Sequence, residues 1–164
     1  TGDYEHRTGG NADPMDKTIY SGNNSEFYPH ELVHVYLTNI QVEANGTGNS
    51  TMAHEGISTY LGGSGGYTLD EHLHILADYA RQNKLTTIDE ILGVEGGMVG
   101  EKETDAMYTI GGLIAKITDK KAGYKGILEL INIQEDDIYP FAAKMMGVKQ
   151  EQAKVALMKE LMKY

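Results

Sequence analysis

Hydrophobic positions recur three and four residues apart through most of the chain, which is the period of an α-helix packed on one face. Leu32, Val33, Tyr36, Leu37 and Ile40 trace one such face. Pro29 suits the first turn ahead of them, because an N–H there would have no partner inside the helix. Ser50 can cap a second helix running to about Leu61. Thr68 with Glu71, and Thr87 with Glu90, have the spacing of capping boxes and open a third helix and a short fourth. Ile110, Leu113, Ile114 and Ile117 give the amphipathic stripe of a fifth. Further helices are predicted near 124–132, 140–146 and 149–163, with Gly147 as a natural stop between the last two.

Strand signals are sparse. Thr18-Ile19-Tyr20 reads as a short strand, closed by the turn-formers Ser21-Gly22-Asn23-Asn24. Residues 1–17 are polar and Gly-rich and read as a leader with weak structural signals. The Gly62–Gly66 run reads as a flexible connection that could rim a cleft, and 94–100 as a glycine-rich link. The expected class is α+β and predominantly helical, with one domain over 18–164.

Composition narrows the function. The chain has 164 residues, 40% apolar and 23% charged, ordinary values for one globular domain with a real core. A net charge of −10 argues against nucleic acid as a partner, because phosphate neutralisation needs a basic stripe. No apolar run approaches the roughly 20 residues of a membrane-spanning helix. The absence of Cys removes disulfides, thiol catalysis and thiolate-ligated zinc, leaving His and carboxylate as metal ligands.

Those ligand types occur in one pattern. His30-Glu31-Leu32-Val33-His34 is an H-E-x-x-H motif. Residues four apart share a helix face, so both imidazoles can converge on one ion. Glu31 is offset from them and can reach a water at the metal as a base. The pattern that continues with Gly at 37 and His at 40 is excluded, because Leu37 and Ile40 stand there. A third ligand must come from elsewhere, and Met52-Ala53-His54-Glu55-Gly56-Ile57-Ser58-Thr59-Tyr60 offers two neighbours, His54 and Glu55. Adjacent helical residues point about 100° apart, so only one can face the imidazoles. His72 and His74 are two apart, do not share a face, and read as solvated or core-edge residues.

With H-E-x-x-H followed, after twenty residues, by Glu55-Gly56 and Tyr60, the chain resembles the gluzincin metallopeptidases, the group of thermolysin and the aminopeptidase-N-like enzymes. The likeness runs over about 18–118 and extends to Tyr28-Pro29 before the first His. It implies Zn²⁺ held by His30, His34 and Glu55, with His54 outside the ligand set, and Glu31 as general base. It implies a zincin-like fold whose short edge strand, here Thr18, Ile19, Tyr20 and Ser21, binds the backbone of a peptide or protein substrate. It also implies an oxyanion donor from a Y-x-x-G pattern, matched by Tyr108-Thr109-Ile110-Gly111. The larger sheet of that fold needs more than the seventeen residues before Thr18, so it is expected to be largely absent here.

The expected activity is zinc-dependent peptide hydrolysis. The G-x-M-E-N segment of the related aminopeptidases has no match in 1–29, which favours an endopeptidase. The alternatives are a non-catalytic binding module on a gluzincin scaffold and a structural metal domain. The first is opposed by the intact Glu31, the second by the lack of a fourth protein ligand. A secreted or cell-envelope location is expected.

Overall fold

The computed structural model describes residues 10–13, 15–20, 28–43, 46–100 and 104–164. Among them the chain is predominantly helical: seven α-helices with two small antiparallel sheets of two strands each. The order is β1 (Asn11–Asp13), β2 (Thr18–Tyr20), α1 (Tyr28–Glu43), α2 (Thr51–Gly62), α3 (Leu69–Gln82), α4 (Ile88–Leu92), β3 (Met98–Val99), β4 (Thr104–Asp105), α5 (Ala106–Ile131), α6 (Ile138–Met146) and α7 (Ala153–Leu161).

Local chemistry sets most of the boundaries. The Ser50 side chain accepts from the Ala53 N–H at 3.1 Å, satisfying a donor that the first turn of α2 leaves open. Both capping boxes form. Thr68 and Glu71 exchange hydrogen bonds at the start of α3, and Thr87 and Glu90 do so at the start of α4. Gly147 adopts the left-handed conformation that ends α6. The fifth and the following predicted helix are recorded as one, α5, broken at Gly123, whose φ of 60° is non-helical. The last helix is shorter than predicted, because a 3₁₀ turn over Gln150–Gln152 precedes it.

Two expectations need correction. Part of the leader is ordered: Asn11–Asp13 form a strand, with Asn11 opposite Tyr20, Ala12 opposite Ile19 and Asp13 opposite Thr18. The Asp13 carboxylate closes the turn by accepting from the N–H groups of Met15 and Asp16, each at 3.1 Å. That signal is local polar chemistry, invisible to a search for apolar alternation. The second correction concerns α1. Of its apolar stripe only Leu37 is fully buried, Leu32, Val33 and Ile40 are half-buried, and Tyr36 is 63% exposed. The helix instead buries His30, Glu31, Val35 and Gln41, turning polar groups toward α2.

The core lies between α2, α3, α5 and the C-terminal helices. Ile57, Leu73, Leu76, Ile110, Leu130 and Leu157 are fully buried within it. At its centre α2 and α5 cross backbone to backbone: a Cβ at Gly56 would lie 2.2 Å from the Gly111 carbonyl carbon, and one at Gly111 would lie 2.3 Å from the Met52 oxygen. Only glycines at both positions permit that approach. No helix among the described residues is long and apolar enough to cross a membrane.

Candidate metal centre

Three side chains from two helices meet beside that crossing. His30 and His34 occupy successive turns of α1, and Glu55 lies in α2. His30 Nε2 is 3.1 Å from Glu55 Oε2, His34 Nε2 is 3.2 Å from the same oxygen, and the two Nε2 atoms are 3.1 Å apart. The three atoms form a nearly equilateral triangle. A tetrahedral zinc site with arms of about 2.05 Å has edges of about 3.3 Å. The residues therefore fit such an ion in number, chemistry and spacing, and they are the group of the described residues able to hold a metal. Glu55 rather than His54 completes the triangle.

Each imidazole is aimed from behind. His30 Nδ1–H donates to the Gly63 carbonyl at 2.8 Å, which leaves Nε2 facing the triangle. His34 Nδ1 lies 3.2 Å from the Ser58 hydroxyl oxygen, one turn along from Glu55. The Gly62–Gly66 run, expected as a flexible connection, is thus the holder of His30. Gly63 has a φ of 71° and ψ of −168°, a conformation that essentially only glycine adopts. A Cβ at Gly62 would lie 2.7 Å from the His30 backbone nitrogen, so the run presses directly on the start of α1. The glycine run itself was the available sequence signal; the partner of its carbonyl was not readable.

Charge in the cluster is strongly coupled. Burial opposes protonation of His30, but the hydrogen bonds to Glu55 and Gly63 and the Glu55 and Glu31 charges outweigh it and raise its pKa. Burial also opposes the charge on Glu55, yet the two imidazoles hold its pKa down at about 2. The carboxylate is therefore ionised whenever the protein is folded near neutrality. Burial pushes the Glu31 carboxyl above its ordinary range against the pull of His30 and His34. Glu31 is 7% exposed, and a Cβ at Gly10 would lie 2.5 Å from its Oε1. The glycine just before β1 thus lies against this carboxylate.

Tyr108 sits in the first turn of α5, whose start is capped by Asp105 Oδ1 accepting from the Tyr108 N–H at 2.8 Å. Its ring stacks parallel to His30, with centroids 5.8 Å apart. Burial and the Glu55 and Asp105 charges raise its pKa, so the phenol stays neutral. The glycine crossing explains the placement: Gly56 follows Glu55, Gly111 follows Tyr108 by one turn, and their contact brings the two side chains together. Tyr60 points elsewhere, donating to Asp119 Oδ2 at 2.8 Å and tying α2 to α5.

The remaining expected residues lie on the hairpin. Thr18, Ile19 and Tyr20 are extended in β2, and both strands pack on α1. One edge of β2 pairs with β1, and no other strand among the described residues pairs with it. Ser21 falls outside the described residues. His54 is half-buried, and burial lowers its pKa. His74 is exposed, whereas His72 is 4% exposed and bonded at both ring nitrogens. Comparison of the chain with protein-family models, curated proteins and solved structures finds no match.

Proposed function

We propose that the chain is a zinc-dependent peptidase of the gluzincin type, with His30, His34 and Glu55 as ligands and Glu31 as general base. The observation that carries the reading is the ligand triangle at tetrahedral spacing, with a second, buried carboxylate on the same helix as the two imidazoles. A bound Zn²⁺ supplies Lewis-acid polarisation of a carbonyl and acidifies water toward a pKa of about 7.

The residues divide the remaining work. Glu31, with its proton affinity raised by burial, takes a proton from water and returns it to the departing amine. Tyr108, neutral because its pKa is raised, donates a hydrogen bond to the oxyanion. Gly63 and Ser58 hold the imidazoles in orientation, which removes a reorganisation cost at the moment of reaction. The extended Thr18–Tyr20 segment offers backbone groups to a peptide laid alongside it. An endopeptidase is the form of the activity proposed.

The test is zinc content together with hydrolysis of a mixed peptide pool, for the parent and for Glu31→Gln. Zinc retained by both, with turnover reduced by about 10²–10⁴-fold in the variant, is the expected result. Zinc in both with hydrolysis in neither would transfer the site to a non-catalytic binding module. Zinc in neither would overturn the metal centre itself.

A further inference from the structure

His72 stands outside the ligand triangle yet touches both chain segments that support it. It projects from the first turn of α3, and only 4% of its surface is exposed. Its Nε2 lies 2.9 Å from the Ser64 carbonyl oxygen and its Nδ1 lies 3.1 Å from Thr104 Oγ1. A carbonyl can only accept, so Nε2 carries the proton. Burial lowers the pKa of this ring, so the ring is neutral and Nδ1 accepts from the Thr104 hydroxyl. One tautomer satisfies both bonds.

The residues it reaches are each one step from the site. Ser64 follows Gly63, whose carbonyl accepts the His30 proton. Thr104, fully buried, precedes Asp105, which caps the helix that carries Tyr108 in its first turn. Ser64 is further pinned by its two-way backbone pairing with Tyr67, at 2.9 Å in each direction. Tyr67 in turn meets the His72 ring edge to face, with centroids 5.8 Å apart. The loop behind His30 and the strand ahead of Tyr108 share no helix, and this imidazole bridges them.

We propose that His72 is a positioning residue for the metal centre, a strut that sets the Gly63 carbonyl against His30 and the helix start of Tyr108 in one frame. The proposal rests on the zinc reading above, but the strut acts on His30 whether or not a metal is bound. It predicts that loss of the strut weakens zinc binding by up to about tenfold, the low end of the range for groups bonded directly to a ligand, because His72 acts one residue behind the group that holds His30. It also predicts faster solvent exchange of the His30 Nδ1 proton in metal-free protein.

The experiment reads both quantities in His72→Phe and His72→Gln: zinc affinity by chelator competition, and imidazole proton exchange by NMR of the metal-free, ¹⁵N-labelled chain. His72→Phe keeps a ring and loses both bonds, whereas His72→Gln retains a donor and an acceptor. Supporting results are weakened zinc and measurably faster exchange in the Phe variant, with substantial recovery of both in Gln. A Phe variant with a lower melting temperature but parental zinc affinity and parental exchange would overturn the proposal, leaving a structural histidine. Faster exchange in a chain that binds no zinc even as the parent would support the strut and defeat the zinc reading. If His72→Phe does not fold, Thr104→Val removes the donor to Nδ1 alone and is read in the same assays with the same signs.

Discussion

The α2–α5 crossing and the α4–α7 seam hold their helices together by opposite means. At the seam, side chains make the contact: Ile88 and Ile91 from α4, and Leu157 and Leu161 from α7, are each fully buried, while an open apolar groove lined by Ile88, Val155, Met158 and Met162 runs along its outer side. Its rim carries an exposed Lys154–Asp89 ion pair, a type of contact worth little. At the crossing, side chains are absent, and Gly56 and Gly111 let one backbone rest on the other. Close by lie the buried polar residues His30, Glu31, Ser58 and Thr59. Apolar volume gives the seam stability that many packings could supply. Backbone contact gives the crossing a fixed separation, which is what Glu55 and Tyr108 need in order to meet.

The contrast can be broken by perturbing each side and reading stability and zinc together. The largest effect on stability belongs to the seam: Leu157→Ala should cost about 2–5 kcal/mol in a denaturant titration. Zinc affinity of the folded protein should stay at the parental value, and a parallel loss would erase the distinction. On the site side, Tyr108→Phe should lower peptide turnover about 10²-fold, equivalent to about 2.7 kcal/mol on the barrier, with melting temperature and zinc unchanged. Turnover equal to the parent's would remove the phenol from the mechanism.

Gly111→Ala sharpens the comparison because it adds volume where the seam mutation removes it. The new Cβ would press on the Met52 carbonyl and on Gly56. We expect a stability loss of about 1–3 kcal/mol, accompanied by weaker zinc binding, since Glu55 moves with Gly56. Parental zinc affinity in a destabilised Gly111→Ala chain would show that the crossing does not set the position of Glu55. The smallest effect belongs to a cap remote from the site. Thr87→Ala removes the acceptor for the Glu90 N–H and should cost about 1 kcal/mol in thermal unfolding, with zinc untouched.

Local rules made much of this legible in the sequence. The capping pairs Thr68–Glu71 and Thr87–Glu90 act within four residues, and both form as their spacing predicts. His30 and His34 converge because a helix puts residues four apart on one face, and Glu55 meets them where His54 does not. The strand at Asn11–Asp13 was illegible because its turn depends on one aspartate and the strand itself, Asn-Ala-Asp, carries little apolar content. The burial of α1 was misjudged for a related reason. Periodicity marks which residues share a face, but not which face a neighbouring helix will cover.

The sequence by itself narrowed the candidate metal-holding side chains to imidazole and carboxylate, since the chain has no Cys. It also determined their spacing on α1, the starts of α2, α3 and α4, and the stop after α6. Tertiary structure alone decided that the Gly63 carbonyl would hold His30, 33 residues away, and that His72, bonded to Ser64, would also reach Thr104, 32 residues on. It also decided that Gly56 and Gly111 would touch. Periodicity and capping are properties of neighbours along the chain and leave a mark in residue order. A hydrogen bond between distant loops, or an approach of two backbones, depends on how whole elements pack, and one sequence carries no period that records it.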